Sequence, residues 1–128
     1  NLSNTAISDE ALAECLPHSQ LNNLSLIDTG ITDAACKECA GCEWLADLRL
    51  DLTDTTDDGV RHLTDCAHMQ SLELFRTKVT DTSLVWLSDT SVEHLGLGYT
   101  SVTDAGIPAL TDFPALQSLN LQEKILST

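Results

Sequence analysis

The sequence predicts an α/β repeat array, on three observations. A Leu-x-Leu pair begins at Leu24, Leu48, Leu72, Leu95 and Leu119. A hydroxyl-Asp step follows at Thr32-Asp33, Thr56-Asp57, Thr80-Asp81 and Thr103-Asp104, with Ser8-Asp9 before them. After each Asp, apolar or cysteine residues return at every third position. The first leucines stand twenty-four residues apart, with one step of twenty-three between Leu72 and Leu95. A fixed period of this size marks stacked units that bury their apolar faces only against their neighbours. The chain therefore reads as a single array over 1–128, with repeats starting near positions 1, 21, 45, 69, 92 and 116, and both ends look cut.

Within each unit, Leu-x-Leu alternates inward and outward positions, which is the period of a short strand. An apolar residue three positions earlier (Leu21, Leu45, Met69, Val92, Leu116) leads into it. Next comes a Thr column at 5, 29, 53, 77 and 100, which ends in Lys124. A hydroxyl here can serve backbone groups left unpaired at the strand end, and stacked copies predict a Thr ladder between repeats. A mostly apolar position follows, occupied by Ile7, Ile31, Thr55, Val79 and Val102. The Ser/Thr-Asp step is a helix start, where the hydroxyl or carboxylate can cap exposed N–H groups and the acid suits the positive helix end. Capping accounts for all five aligned aspartates without a cation site.

Leu12, Cys15; Cys36, Cys39, Cys42; Val60, Leu63, Cys66; Leu84, Leu87; and Ile107, Leu110, Phe113 form the inward faces of five short helices. Pro108 falls beyond the first turn that tolerates proline, and so should shorten or delay its helix. The return loop between Leu87 and Val92 is one residue tighter than in the neighbouring copies.

Composition narrows the function. With 20 acidic and 6 basic residues, the net charge is -14. That disfavours nucleic acid, whose recognition needs clustered Lys and Arg, and anionic membrane surfaces, while favouring a protein partner of basic character. No stretch is apolar for long enough to span a bilayer. The chain has neither an initiator Met nor a signal peptide and reads as a processed or excised segment. Five cysteines in core columns do not frame a disulfide scaffold and favour a reducing, cytoplasmic setting.

These residues resemble the leucine-rich-repeat family in a short form, L-x-x-L-x-L-x-x-T-x-I-T-D-x-G-L-x-x-L, which the copy from Val92 to Leu110 follows most closely. Cys42 and Cys66 are partly similar to the cysteine of the cysteine-containing subclass found in ubiquitin-ligase substrate receptors. The resemblance implies a right-handed curved solenoid, with a parallel sheet lining the concave side and short helices on the convex side.

On such a sheet, residues between and after the leucines face the hollow. They include Arg49, Glu73 and Gly96, then Asp51, Phe75 and Gly98, then Leu52, Arg76 and Tyr99, with His94 just before the fourth pair. Arg49, Leu52, Glu73, Phe75, Arg76, His94 and Tyr99 form the candidate partner site. Aromatic and guanidinium groups are common interface anchors, and a structural array needs none here. Gly96 and Gly98 suggest a shallow gap for a partner side chain. Cys15-x-x-His18 and Cys39-x-x-Cys42 have zinc-type spacing, yet the cysteines fill columns held elsewhere by Leu, Val, Ile or Phe, so core packing explains them and no cofactor is expected. A Cys42–Cys66 bridge is a further alternative. Val85 and Trp86 fall on the outer helix surface.

No Gly-x-Ser-x-Gly, phosphate-cradling glycine loop or His-Glu-x-x-His is present, so an enzyme is not expected. The sequence points to a protein-recognition scaffold that uses the central repeats. The alternatives are an assembly element that stacks through its open ends, on flanking domains or on itself, and a regulatory segment of a larger protein.

Overall fold

The computed structural model describes residues 7–15 and 20–121. Leu2, Thr5, His18 and Lys124, with the side chain of Cys15, lie outside that description. The five Leu-x-Leu segments form strands β1 (Asn23–Ser25), β2 (Asp47–Arg49), β3 (Ser71–Glu73), β4 (His94–Gly96) and β5 (Ser118–Asn120). They pair in chain order into one parallel sheet, with Leu24, Leu48, Leu72, Leu95 and Leu119 in register. Helices alternate with them: α1 (Asp9–Cys15), α2 (Asp33–Cys39), α3 (Asp57–Leu63) and α4 (Asp81–Leu87), then a 3-10 helix over Asp104–Asp112. Consecutive helices pack on one another, so the molecule is a strand layer and a helix layer built by repetition.

Each α-helix is 7 residues long, too short to persist alone, because nucleation costs more than so few hydrogen bonds return. Packing holds them. Leu12, Cys36, Cys39, Val60, Leu63, Leu84 and Leu87 point into the core against Leu48, Leu50, Leu72, Leu74 and Leu97. Pro108 sits inside the 3-10 helix. The helix nonetheless starts at its aligned Asp and spans 9 residues, so Pro108 neither delays nor shortens it. Pro108 lacks the N–H that an α-helix would return to Asp104, and the segment winds as a 3-10 helix instead. The missing residue before β4 is absorbed locally. The Thr90 N–H and hydroxyl both donate to the Leu87 carbonyl, at 2.9 and 2.6 Å, and the β3–β4 register is kept.

Two polar columns differ from the sequence expectation. The Thr hydroxyls do not form a ladder between repeats. Thr29, Thr53, Thr77 and Thr100 each donate to the carbonyl three residues back in their own repeat, at 2.6–2.7 Å. A hydroxyl buried at a strand end bonds the nearest orphan carbonyl, and that carbonyl belongs to its own turn.

The link between repeats is the Asp column instead. The helix caps are the threonines: Thr32, Thr56, Thr80 and Thr103 accept from the N–H two residues on. The aspartates reach across to those threonines in the next repeat. Asp57 accepts the Thr80 N–H at 2.8 Å and the Thr80 hydroxyl at 2.5 Å, and Ser83 donates to it as well. Asp9, Asp33 and Asp81 hold Thr32, Thr56 and Thr103 in the same two-point grip. Asp33, Asp57 and Asp81 also meet the third helical residue of the next repeat, Gly59, Ser83 and Gly106, and the equivalent residue after Asp9 is the small Ala35. A Cβ on Gly59 would lie 3.0 Å from Cys36 Sγ and 3.2 Å from Asp33 Cγ, and one on Gly106 would lie 2.8 Å from Asp81 Cγ.

Burial pushes the Cys66 thiol up to about 11 and Cys36 to about 12, the latter against an opposing contact with the Thr55 hydroxyl; Cys39 is raised further still, again by burial first. These thiols stay protonated at neutral pH and behave as small apolar core groups.

Candidate functional site

The helices cover one side of the sheet and leave the other open. Along each strand only the central leucine points into the core, so its neighbours line the open face. Arg49 and His94 are exposed there and Glu73 is half-buried.

Just past each strand the chain turns through a left-handed residue: Asp28 (φ 54), Leu52 (φ 61), Arg76 (φ 56) and Tyr99 (φ 55). Gly or Asn is the usual occupant of that conformation, and other side chains cost on the order of 1 kcal/mol. The turn is fixed by backbone bonds. The N–H groups of Asp28, Leu52 and Arg76 donate to carbonyls of Asp51, Phe75 and Gly98 in the next repeat, at 2.8–2.9 Å. Leu52 is 43% exposed as a result.

The same turns bring Phe75, Arg76 and Tyr99 together. The Phe75 and Tyr99 rings meet edge to face at 5.1 Å with an interplanar angle of 82°. The Arg76 guanidinium lies 4.4 Å from the Tyr99 centroid and 5.7 Å from that of Phe75. Both rings are half-buried and Arg76 is exposed, so the cluster is rigid on its inner side and open on its outer side. The Phe75 backbone is tied to the neighbouring repeat, where its N–H donates to Asp51 Oδ1 at 2.8 Å.

Beside this cluster lie three carboxylates from β2, β3 and the turn between repeats. Burial raises Glu73 above the usual carboxylate range; Asp51 adds to the rise, Arg49 opposes it, Asp47 adds and His94 opposes. Burial likewise raises Asp51, against the Phe75 N–H and Arg49. Asp47 Oδ1 is buried and has no hydrogen-bond partner among the described residues. The expected gap at Gly96 is filled: a Cβ there would collide with the Glu73 carboxylate, and both Gly96 and Gly98 are buried.

A carboxylate with a raised folded-state pKa is penalised once ionised, so its cost is present at neutral pH. The cost fades as pH falls through the raised value toward the unfolded one. Glu73→Gln is therefore expected to be more stable than the natural chain near neutral pH. Thermal midpoints measured against pH should show that advantage shrinking on acidification.

Asn23, Ser25, Asp47 and Arg49 outline a hollow of about 130 Å³ on the open face, well below the several hundred Å³ of a small-molecule site. Of the zinc-type set, the Cys15 side chain and His18 lie outside the described residues, while Cys39 and Cys42 are buried in the core. Among the described residues no group of three metal-ligating side chains converges, and no Cys42–Cys66 disulfide forms. No described helix is long and apolar enough to cross a membrane. On the helix layer, Val85 is 59% exposed and the Arg61 guanidinium lies 5.8 Å from the Trp86 ring centroid. Trp44, 51% exposed, stacks on His68 at 4.8 Å, a pair that sequence reading missed. Both stand two positions after an aligned cysteine, Cys42 or Cys66, and that shared phase was the available signal. Neither a protein-family model nor a curated protein matches the chain.

Proposed function

We propose that this chain is a solenoid of leucine-rich-repeat type that works as a protein-recognition scaffold. It would bind its partner on the concave face of the central repeats, at the corner made by Phe75, Arg76 and Tyr99. The observation that carries this reading is the occupancy of the left-handed turns. Leu52, Arg76 and Tyr99 hold a conformation that disfavours them, and two of them join Phe75 in a partly exposed aromatic-guanidinium cluster. Strain retained at a surface whose side chains do not fill the core is a mark of use.

The mechanism is preorganised binding. The rings and guanidinium are already placed, so association loses less side-chain freedom than it would on a flexible surface. The charge of -14 favours a basic partner, whose association should weaken as salt screens the attraction. The chain acts in this reading without catalysis and without a cofactor.

Quantitative capture of partner proteins, compared between the natural chain and a Phe75→Ala, Arg76→Ala, Tyr99→Ala variant, tests the proposal. Loss of hot-spot anchors should weaken the specific interaction by more than about tenfold. An unchanged bound fraction for the folded variant would remove this reading.

A further inference from the structure

Resting on the reading that this face is the recognition surface, we infer that it takes a cationic side chain, Lys or Arg, from a basic partner, with Glu73 as the direct acceptor and Asp47 and Asp51 behind it. The first observation is the placement of Glu73. Its carboxylate lies in the space that a Cβ at Gly96 would take, so the missing side chain on β4 seats the acid on β3. It accepts no hydrogen bond and closes no ion pair with Arg49 among the described residues; the ion pair found there, Lys78 with Asp54 at 3.4 Å, stands elsewhere. The acid is therefore placed by shape and left available.

The second observation is the arrangement of charge around it. Arg76 is turned onto the Tyr99 ring and leaves the carboxylates to Arg49 and His94. Three acids against one permanent cation leave the strip net negative, and the buried Asp47 Oδ1 lacks a partner that would offset it. Partial burial strengthens attraction for an incoming cation relative to an acid in open water. Acidification protonates Glu73, which opposes a bound cation. The raised position of Glu73, caused first by burial and next by Asp51, starts that loss above the range of ordinary carboxylates.

The test uses a fluorescein-labelled peptide of alternating Arg and Gly, followed by anisotropy at fixed salt. Glu73→Gln should weaken its binding about three- to tenfold, the scale of one partly desolvated charge contact. Gly96→Ala keeps the net charge and evicts the carboxylate, and should weaken binding comparably. The Gly96 backbone is outside the left-handed region and the displaced acid is the end of a flexible chain, so this variant should fold. Asp58→Asn, which removes an exposed charge from α3, should leave the affinity within about twofold. Lower affinity near pH 5 than near pH 7 is expected for the natural chain.

Equal losses from Asp58→Asn and Glu73→Gln would mean diffuse attraction and would overturn the inference, as would an unchanged affinity in Glu73→Gln. If either occurs while the Phe75, Arg76 and Tyr99 substitutions still abolish partner capture, the recognition surface stands and only its cation preference falls.

Discussion

Replacing Asp57 by Ala should cost about 3 kcal/mol of stability, measured by chemical denaturation. The carboxylate receives the Thr80 N–H, the Thr80 hydroxyl and the Ser83 hydroxyl, so its removal strands three donors at the α3–α4 junction. Thr80 is also the cap of α4, which ties the loss of the clamp to the start of the next helix. Asp57→Asn should cost less, because the amide oxygen still accepts one donor. Burial alone would raise Asp57, but the bonds from Ser83 and Thr80 outweigh it and hold the acid below the ordinary range. A lowered pKa means a contribution that is complete above the unfolded value and lost as pH falls through the folded one. The stability gap between the natural chain and Asp57→Asn should therefore narrow in strong acid.

The second large effect is expected at Gly59. Leu at this position has no room, because the Asp33 carboxylate and the Cys36 thiol already occupy the space of a first side-chain carbon. The α2–α3 packing and the Asp33–Thr56 grip would have to open together, at a cost of about 3 kcal/mol or more. Gly59→Ala should already cost about 1 kcal/mol or more, because its Cβ displaces the Asp33 carboxylate that grips Thr56 and the gain in helix propensity offsets only part of this, while Leu should cost more still. Ala35 already occupies the equivalent place beside the Asp9 grip. Equal costs for Ala and Leu would contradict the steric explanation.

The fold was legible in the sequence wherever burial set the pattern. Leucine phase located all five strands, and the three-residue spacing located the inward faces of α2, α3 and α4, because an unbroken stack leaves little freedom about which residues face in. In the 3-10 helix Leu110 packs on the core and Ile107 does not. The polar links were less legible. Asp at a helix start has a sufficient local explanation as a cap, and its pairing with a Thr in the next repeat exists only once neighbours are stacked. The small residue two places after each aspartate, at Ala35, Gly59, Ser83 and Gly106, was the trace of it. The left-handed turns gave no sign at all, because Leu52, Arg76 and Tyr99 stand where Gly or Asn would have announced them. At the candidate site, the repeat columns grouped Phe75, Arg76 and Tyr99 on one surface, but these residues lie past the strand ends and it is the left-handed turns at Arg76 and Tyr99 that bring them together. Glu73 filling the space at Gly96 depends on side-chain reach across strands, which spacing along one chain does not encode.

Site-resolved photo-crosslinking tests the proposed recognition surface most directly. A benzophenone side chain is placed either at His94, exposed on the open face, or at Val85, exposed on the helix layer. Partner adducts formed from position 94, and lost when Phe75, Arg76 and Tyr99 are replaced by Ala, are the expected result. Adducts formed from position 85 and absent from position 94 would contradict it.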